Sequence, residues 1–145
     1  MEINEQELVL AALKARHGAY VPYSHWAVGA ALLTKDGKVY PGCNIENAAY
    51  TPTNCAERTA FFKAVSEGER EFAAIAVVGG FDTSEPEAIC APCGVCRQVM
   101  MEFCDPKSFR VILGTKDGVA VSRTLEEMLP YGFGPEMLNQ DKTTE

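Results

Sequence analysis

The segment Ala27-Val28-Gly29-Ala30-Ala31-Leu32-Leu33-Thr34-Lys35-Asp36-Gly37-Lys38-Val39-Tyr40 decides the fold. Two apolar runs, 27–34 and 38–44, flank Lys35-Asp36-Gly37, and an Asp-Gly pair between such runs is a strong hairpin signal. On its N-terminal side, Leu8, Leu10, Ala11, Ala12 and Leu13 recur at helical spacing and predict an amphipathic helix around residues 6–17. Pro22 then breaks that pattern, because it disfavours helix in the residue before it. On its C-terminal side, 55–65 predicts a second helix that Gly68 can end, and 72–79, with Ile75, Val77 and Val78, predicts a buried strand. Residues 93–103 read as a third helix entered through Pro92, and 109–114 and 119–121 as two strands around Lys116-Asp117-Gly118. Thr124 with Glu127 forms a capping box for a short helix that Pro130 stops. The order predicts an α/β fold with a mixed sheet of about five strands and helices on its faces. Residues 1–145 read as a single domain, with the polar stretch 139–145 as a frayed tail.

The composition narrows the partners. At 47% hydrophobic and 23% charged residues, the chain is neither disordered nor collagen-like. A net charge of −7 denies it the basic field that nonspecific nucleic-acid binding uses and the polybasic patch of a peripheral membrane binder. No run approaches the ~18 apolar residues of a spanning helix. The opening Met1-Glu2-Ile3-Asn4-Glu5-Gln6-Glu7 is acidic where a secretory signal would be basic. A cytoplasmic protein with a small partner is expected, binding neither nucleic acid nor membrane.

Six cysteines occur, at 43, 55, 90, 93, 96 and 104. In a reducing compartment, clustered cysteines read as ligands or catalytic groups more readily than as disulfides. Three of them fall at two predicted helix starts, Thr53-Asn54-Cys55-Ala56-Glu57-Arg58 and Ala91-Pro92-Cys93-Gly94-Val95-Cys96-Arg97. Asn54 as N-cap places Cys55 in a first turn, and Pro92 places Cys93 at an N-terminus with Cys96 one turn later on the same face. The positive helix ends favour all three as thiolates. Three thiolates around Zn2+ leave a fourth tetrahedral position for water, the mark of a catalytic site. Glu57, two residues after Cys55, can shuttle protons there. Cys55-Ala56-Glu57 followed by Pro92-Cys93-Gly94-Val95-Cys96 fits the two-part pattern of zinc deaminases.

Blander readings stand beside this one. Asn54 and Glu57 could simply close a capping box. Cys55 could be a small buried residue, and Arg58 a surface charge. Asn44 and Glu46 could solvate a loop, Trp26 and Phe133 could be core aromatics, and Cys43 and Cys104 core or partly exposed thiols. Cys90, Cys93 and Cys96 open a ferredoxin signature, but that signature then requires a Cys-Pro where this chain has Met100. A closed zinc site built from Cys55, Cys90, Cys93 and Cys96 would make a noncatalytic interaction module. A thioredoxin-like dithiol leaves Cys55-Ala56-Glu57 unexplained.

Along nearly its whole length the sequence resembles the small homotetrameric cytidine deaminases. The resemblance runs through Pro22-Tyr23-Ser24, Val28-Gly29-Ala30-Ala31-Leu32, Gly42-Cys43-Asn44-Ile45-Glu46-Asn47-Ala48, 54–58, 92–99, and Leu129-Pro130 with Phe133. It implies a three-layer α/β/α fold and hydrolysis of cytidine and 2′-deoxycytidine to the uridine nucleosides in pyrimidine salvage. It implies one Zn2+ per subunit on Cys55, Cys93 and Cys96, with a zinc-bound hydroxide attacking C4 and Glu57 as the proton shuttle. By the same resemblance Asn44 and Glu46 bind the ribose hydroxyls, the Ala56 backbone and Glu57 read the pyrimidine edge, and Arg58 donates to the ligand sulfurs. Phe133 would stack on the pyrimidine in a neighbouring subunit's site, and Ala48 and Tyr50 would line the ribose from adjacent subunits. Trp26 stands where many members have Phe, and Ala91 where Ser is common; both would touch the pocket wall.

Overall fold

Residues 2–139 are described by a computed structural model. Strand β1 (Trp26–Thr34) sends Val28, Ala30 and Leu32 to one side of the sheet and Ala31 and Leu33 to the other, and both sets are buried. A strand covered on both faces reads as a continuous apolar run, which is why 27–34 is almost unbroken in hydrophobic residues. With β2 (Val39–Cys43), β3 (Phe72–Phe81), β4 (Arg110–Thr115) and β5 (Gly118–Thr124) it forms a five-stranded sheet in the order β2-β1-β3-β4-β5. Only β3 and β4 are parallel; the other neighbours are antiparallel.

Helix α1 (Glu5–Ala15) covers one face, burying Leu8, Val9 and Ala12 among Ala31, Ala74, Val78 and Ile112. Helices α2 (Ala56–Ser66), α3 (Gly94–Phe103) and α4 (Leu125–Met128) cover the other. There Ala60, Phe61, Met100 and Leu125 pack with Leu32, Ile75, Val77 and Val111. The expected α/β fold, a mixed sheet with helices on both faces, is the one observed.

Local signals hold at several ends. Asn4 caps α1 by accepting from the Glu7 N–H at 3.1 Å, and Thr124 and Glu127 form the expected capping box at α4. Two helix starts need correction. The N-cap of α2 is Cys55, not Asn54, because the Asn54 backbone is drawn into a bridge with Ile45 through hydrogen bonds of 2.9 and 3.0 Å. The N-cap of α3 is Cys93, with Pro92 outside the first turn. β3 also runs past its expected end at Gly79, through Gly80 to Phe81. The tail expected at 139–145 lies, beyond Asn139, outside the described residues.

Two glycines set the helix–sheet spacing. A Cβ on Gly29 would lie 2.1 Å from the Ala12 carbonyl oxygen of α1. One on Gly42 would lie 2.4 Å from the Ala56 carbonyl oxygen and 2.7 Å from the Ala60 nitrogen of α2. These neighbours are backbone, so a methyl group forces the whole helix outward. Gly42→Ala is therefore expected to destabilise by about 1–3 kcal/mol, the usual range for overpacking, and to weaken metal binding by displacing Cys55. Thermal melting and a zinc titration check both effects.

Candidate active site

Two helix starts converge at one end of the sheet. Cys55 precedes α2 and Cys93 precedes α3, and Cys96 lies in the first turn of α3. The Sγ atoms of Cys55 and Cys93 are 3.9 Å apart and those of Cys93 and Cys96 3.6 Å, and all three lie within 4.8 Å of one another. A tetrahedral zinc site with Zn–S bonds of ~2.3 Å has sulfurs ~3.8 Å apart, so the three cysteines fit one such ion. Cys93 is exposed, Cys55 half-buried and Cys96 buried, so the group opens to solvent on one side.

A guanidinium lies against the sulfurs. Arg58 Nη2 donates to Cys55 Sγ at 3.3 Å, while its Nε is buried without a hydrogen-bond partner. The Cys55 thiol is pulled down to about 5, first by the hydrogen bond from Cys96 and then by Arg58, against the opposing effect of burial. Cys96 is pushed up by that same hydrogen bond and by its burial. The helix end alone therefore does not lower the Cys96 thiol, contrary to the expectation for that sulfur. Charges this close disfavour ionising Cys96 beside Cys55, and a dication is the group that relieves that repulsion.

Glu57 is only 4% exposed and follows the N-cap by two residues. Burial pushes its carboxyl up to about 7, with the neighbouring Cys55 adding to the effect. It does not close a capping box, since α2 has no side-chain cap and the Asn54 amide donates to Thr59 Oγ1 at 3.2 Å. Ala56 beside it is buried.

A second group of residues gathers before β1 and after β2. Asn44 Oδ1 accepts from the Val28 N–H at 2.9 Å, and its Nδ2 donates to the Trp26 carbonyl at 2.8 Å. Glu46 accepts from the Tyr23 and Ser24 N–H groups at 3.0 and 3.1 Å and from the Ser24 hydroxyl. Those bonds, the Ser24 hydroxyl first, hold the Glu46 carboxyl below its usual range. A hollow of about 330 Å³ beside it is lined by Tyr23, Ser24, Glu46, Asn47, Tyr50 and Thr53. The two groups are joined through Ile45, which bridges Tyr20 on one side and Asn54, next to Cys55, on the other.

The remaining candidates divide. Trp26 and Phe133 are not core aromatics, being 37% and 56% exposed. Ala48 and Tyr50 are exposed on the loop after Glu46, with Tyr50 edge-on to Tyr23 at 6.4 Å. The Phe133 carbonyl accepts from Gln98 of α3 at 2.7 Å. Cys90 stays apart from the three-cysteine group: its sulfur packs where a Gly79 Cβ would be 2.7 Å away. The closed four-cysteine site is therefore not formed. Cys43 and Cys104 are half-buried and buried thiols, and Ala91 is exposed. Two arginines had no signal in the sequence beyond a charge near a helix end. Arg97 clamps the start of α3 by donating to the Pro92 and Met128 carbonyls at 2.8 Å. Arg16 donates to the Ala27, Gly80, Phe81 and Ser84 carbonyls.

Residues 2–112 match the family described as the cytidine and deoxycytidylate deaminase zinc-binding region. The chain is 54% identical over 137 residues to a cytidine deaminase of Halalkalibacterium halodurans, covering 94% of this chain and 99% of that one. It is 53% identical over 134 residues to one of Sporosarcina psychrophila, covering 92% and 94%. The crystal structure of a cytidine deaminase from Burkholderia pseudomallei superposes with a TM-score of 0.80 at 49% identity, over 90% of this chain and all of that one.

Replacing Cys55, Cys93 or Cys96 singly by Ala is expected to abolish stoichiometric zinc binding, whereas Cys90→Ser is expected to retain it. Elemental analysis of the purified variants reads the difference, and loss of zinc in Cys90→Ser would refute this ligand set.

Proposed function

The chain belongs to the cytidine and deoxycytidylate deaminase family, and on that premise we propose that it hydrolyses cytidine and 2′-deoxycytidine to uridine and 2′-deoxyuridine with release of ammonia. The observation that carries this reading is a buried carboxylate, Glu57, set beside three sulfurs spaced for one zinc ion. When bound, zinc supplies a Lewis acid that makes water nucleophilic near neutral pH.

We assign the zinc to Cys55, Cys93 and Cys96, one ion per subunit. Glu57 takes a proton from the attacking water and passes it to ring N3, then takes a second from the new C4 hydroxyl and delivers it to the departing amino group. Water enters, ammonia leaves, and the carboxylate is regenerated. Its burial shields that proton from bulk solvent, and the buried Ala56 backbone beside it presents the pyrimidine edge with a fixed partner. Arg58 offsets the negative charge of the sulfurs through its bond to Cys55.

Asn44 and Glu46 bind the ribose hydroxyls in this reading. Both are preorganised by hydrogen bonds to the segment around Trp26, which spares the nucleoside the work of ordering them. Glu46 is held as a carboxylate, and it would repel a 5′-phosphate brought near it. Trp26 forms part of the pocket wall. Ala48, Tyr50 and Phe133 complete the pocket across subunits of a homotetramer, a role that their exposure in the single chain supports. We place the reaction in pyrimidine salvage in the cytoplasm, where a reducing environment suits six free thiols. No helix among the described residues is long and apolar enough to cross a membrane.

An ultraviolet assay on the zinc-loaded protein tests the reaction. Cytidine and 2′-deoxycytidine are expected to be turned over, with cytosine and cytidine monophosphate poor substrates; comparable turnover of the monophosphate would refute the nucleoside assignment. Glu57→Gln should keep fold and zinc and lose at least the ~100–10,000-fold typical of general acid–base catalysis.

Subunit mixing tests the shared site. Glu57→Gln and Phe133→Ala proteins, each impaired alone, are expected to regain activity when dissociated and reassembled together. In the hybrids an intact Glu57 can meet a neighbour's Phe133. An active monomer by mass, or no recovery in verified hybrids, counts against sharing.

A further inference from the structure

Phe81 ends β3 and lies directly across from Trp26, the first residue of β1. The two rings meet edge to face, with centroids 5.0 Å apart and planes at 84°. Phe81 is 57% exposed, so its ring does little for the core. Its backbone is nonetheless bolted down: Arg16 Nη2 donates to the Phe81 carbonyl at 2.7 Å and to Gly80 at 2.9 Å, and Arg16 Nε donates to Ala27 at 2.9 Å. One guanidinium thereby fixes the ends of β1 and β3 in the register that brings the two rings together.

Trp26 stands between the two halves of the site. Its N–H donates to Ser24 Oγ at 3.0 Å, and the Ser24 hydroxyl donates to Glu46. Its carbonyl accepts from Asn44. On the other side its side chain meets the Cys90 thiol, which is close enough to Cys55 and Glu57 to feel their charge. The backbone of Trp26 is thus held by the residues assigned to the sugar, while side-chain neighbours, Cys90 among them, must fix the direction of its partly exposed indole. Phe81 is the aromatic neighbour positioned to do so, since edge-to-face pairs prefer one mutual orientation.

We propose that Phe81 is a positioning residue for nucleoside binding, holding the Trp26 indole edge-on so that it forms a fixed wall between the Asn44–Glu46 side and the cysteine side of the pocket. The proposal rests on the reading that Trp26 lines the nucleoside site. A fixed wall acts on binding rather than on proton transfer at Glu57, so its loss shows in KM and not in kcat.

Trp26 is the only tryptophan in the chain, which makes its fluorescence a direct report on the pair. Phe81→Ala, Phe81→Leu and Phe81→Tyr are compared with the wild type as zinc-loaded, full-length proteins. KM and kcat for cytidine and the emission anisotropy of Trp26 without substrate are measured, along with the mass in solution. Ala and Leu are expected to raise KM ~3–10-fold, the size of an edge-to-face coupling, to leave kcat unchanged and to lower the anisotropy, with Tyr restoring both. Unchanged KM and anisotropy in Phe81→Ala, restoration by Leu as complete as by Tyr, an effect confined to kcat, or a change in assembly mass would each overturn the proposal. A wild type without cytidine turnover would overturn the functional reading and this proposal with it. An active wild type matched by Phe81→Ala overturns this proposal alone.

Discussion

Three sulfur atoms gathered within 4.8 Å are the constraint on which the rest of this structure depends. Among the protein groups alone, the Cys55 thiol is pulled down and the Cys96 thiol is pushed up. The fold brings them together before any cation arrives. It does this with rigid parts. Two helices present their first residues at one end of a sheet. Gly42 admits the backbone of α2 to the sheet, and Arg97 ties the start of α3 to the Pro92 and Met128 carbonyls. The parallel pairing of β3 with β4 requires a crossover, and α3 is that crossover. Cys93 thus sits where such a connection brings a helix N-terminus to the sheet end.

Around that cluster the polar groups are arranged in series. Ile45 bridges the segment before β1 and the residue before Cys55, and Asn44 and Glu46 on either side of it hold the backbone from Tyr23 to Val28. A displacement of one part is therefore passed to its neighbours through short hydrogen bonds. Glu57 takes no part in that series. It is buried by the packing of α2 and has its carboxyl raised by that burial, which separates a group able to exchange protons from groups whose work is to bind.

The division between a closed core and an open rim has a chemical consequence. Val28, Ala30, Leu32, Ile75 and Val77 bury one sheet face completely enough to fix the helices. Trp26, Tyr50, Phe81 and Phe133 remain exposed at the rim. Large aromatic groups in such places add little to folding and much to recognition. This fits a pocket whose floor is fixed by the core and whose walls are supplied by strand ends, loops and, in the proposed assembly, neighbouring chains.

Most elements, and the three cysteines that gather at one end of the sheet, were legible in the order of residues alone. The continuous apolar run of β1, the Asp-Gly hairpin, the Thr124–Glu127 box and the Cys-x-Glu and Pro-Cys-x-x-Cys spacings are all local, and covalent geometry carries them from sequence to structure. Tertiary structure decided what local spacing cannot express. Asn54 has the chemistry of an N-cap, yet a bridge to Ile45 claimed its backbone and moved the cap to Cys55. Gly79-Gly80 reads as a strand end, yet β3 continues, with Gly79 leaving room for the Cys90 sulfur. Cys90 shares the spacing of Cys93 and Cys96 but is set against Gly79 and Trp26 instead. Arg16 bonds carbonyls up to 68 positions away, and Phe81 meets Trp26 only through the register of two strands far apart in the chain. Register is set by the whole buried sheet, because a one-residue slip turns every side chain to the opposite face. The rim of the site therefore depends on the completed core.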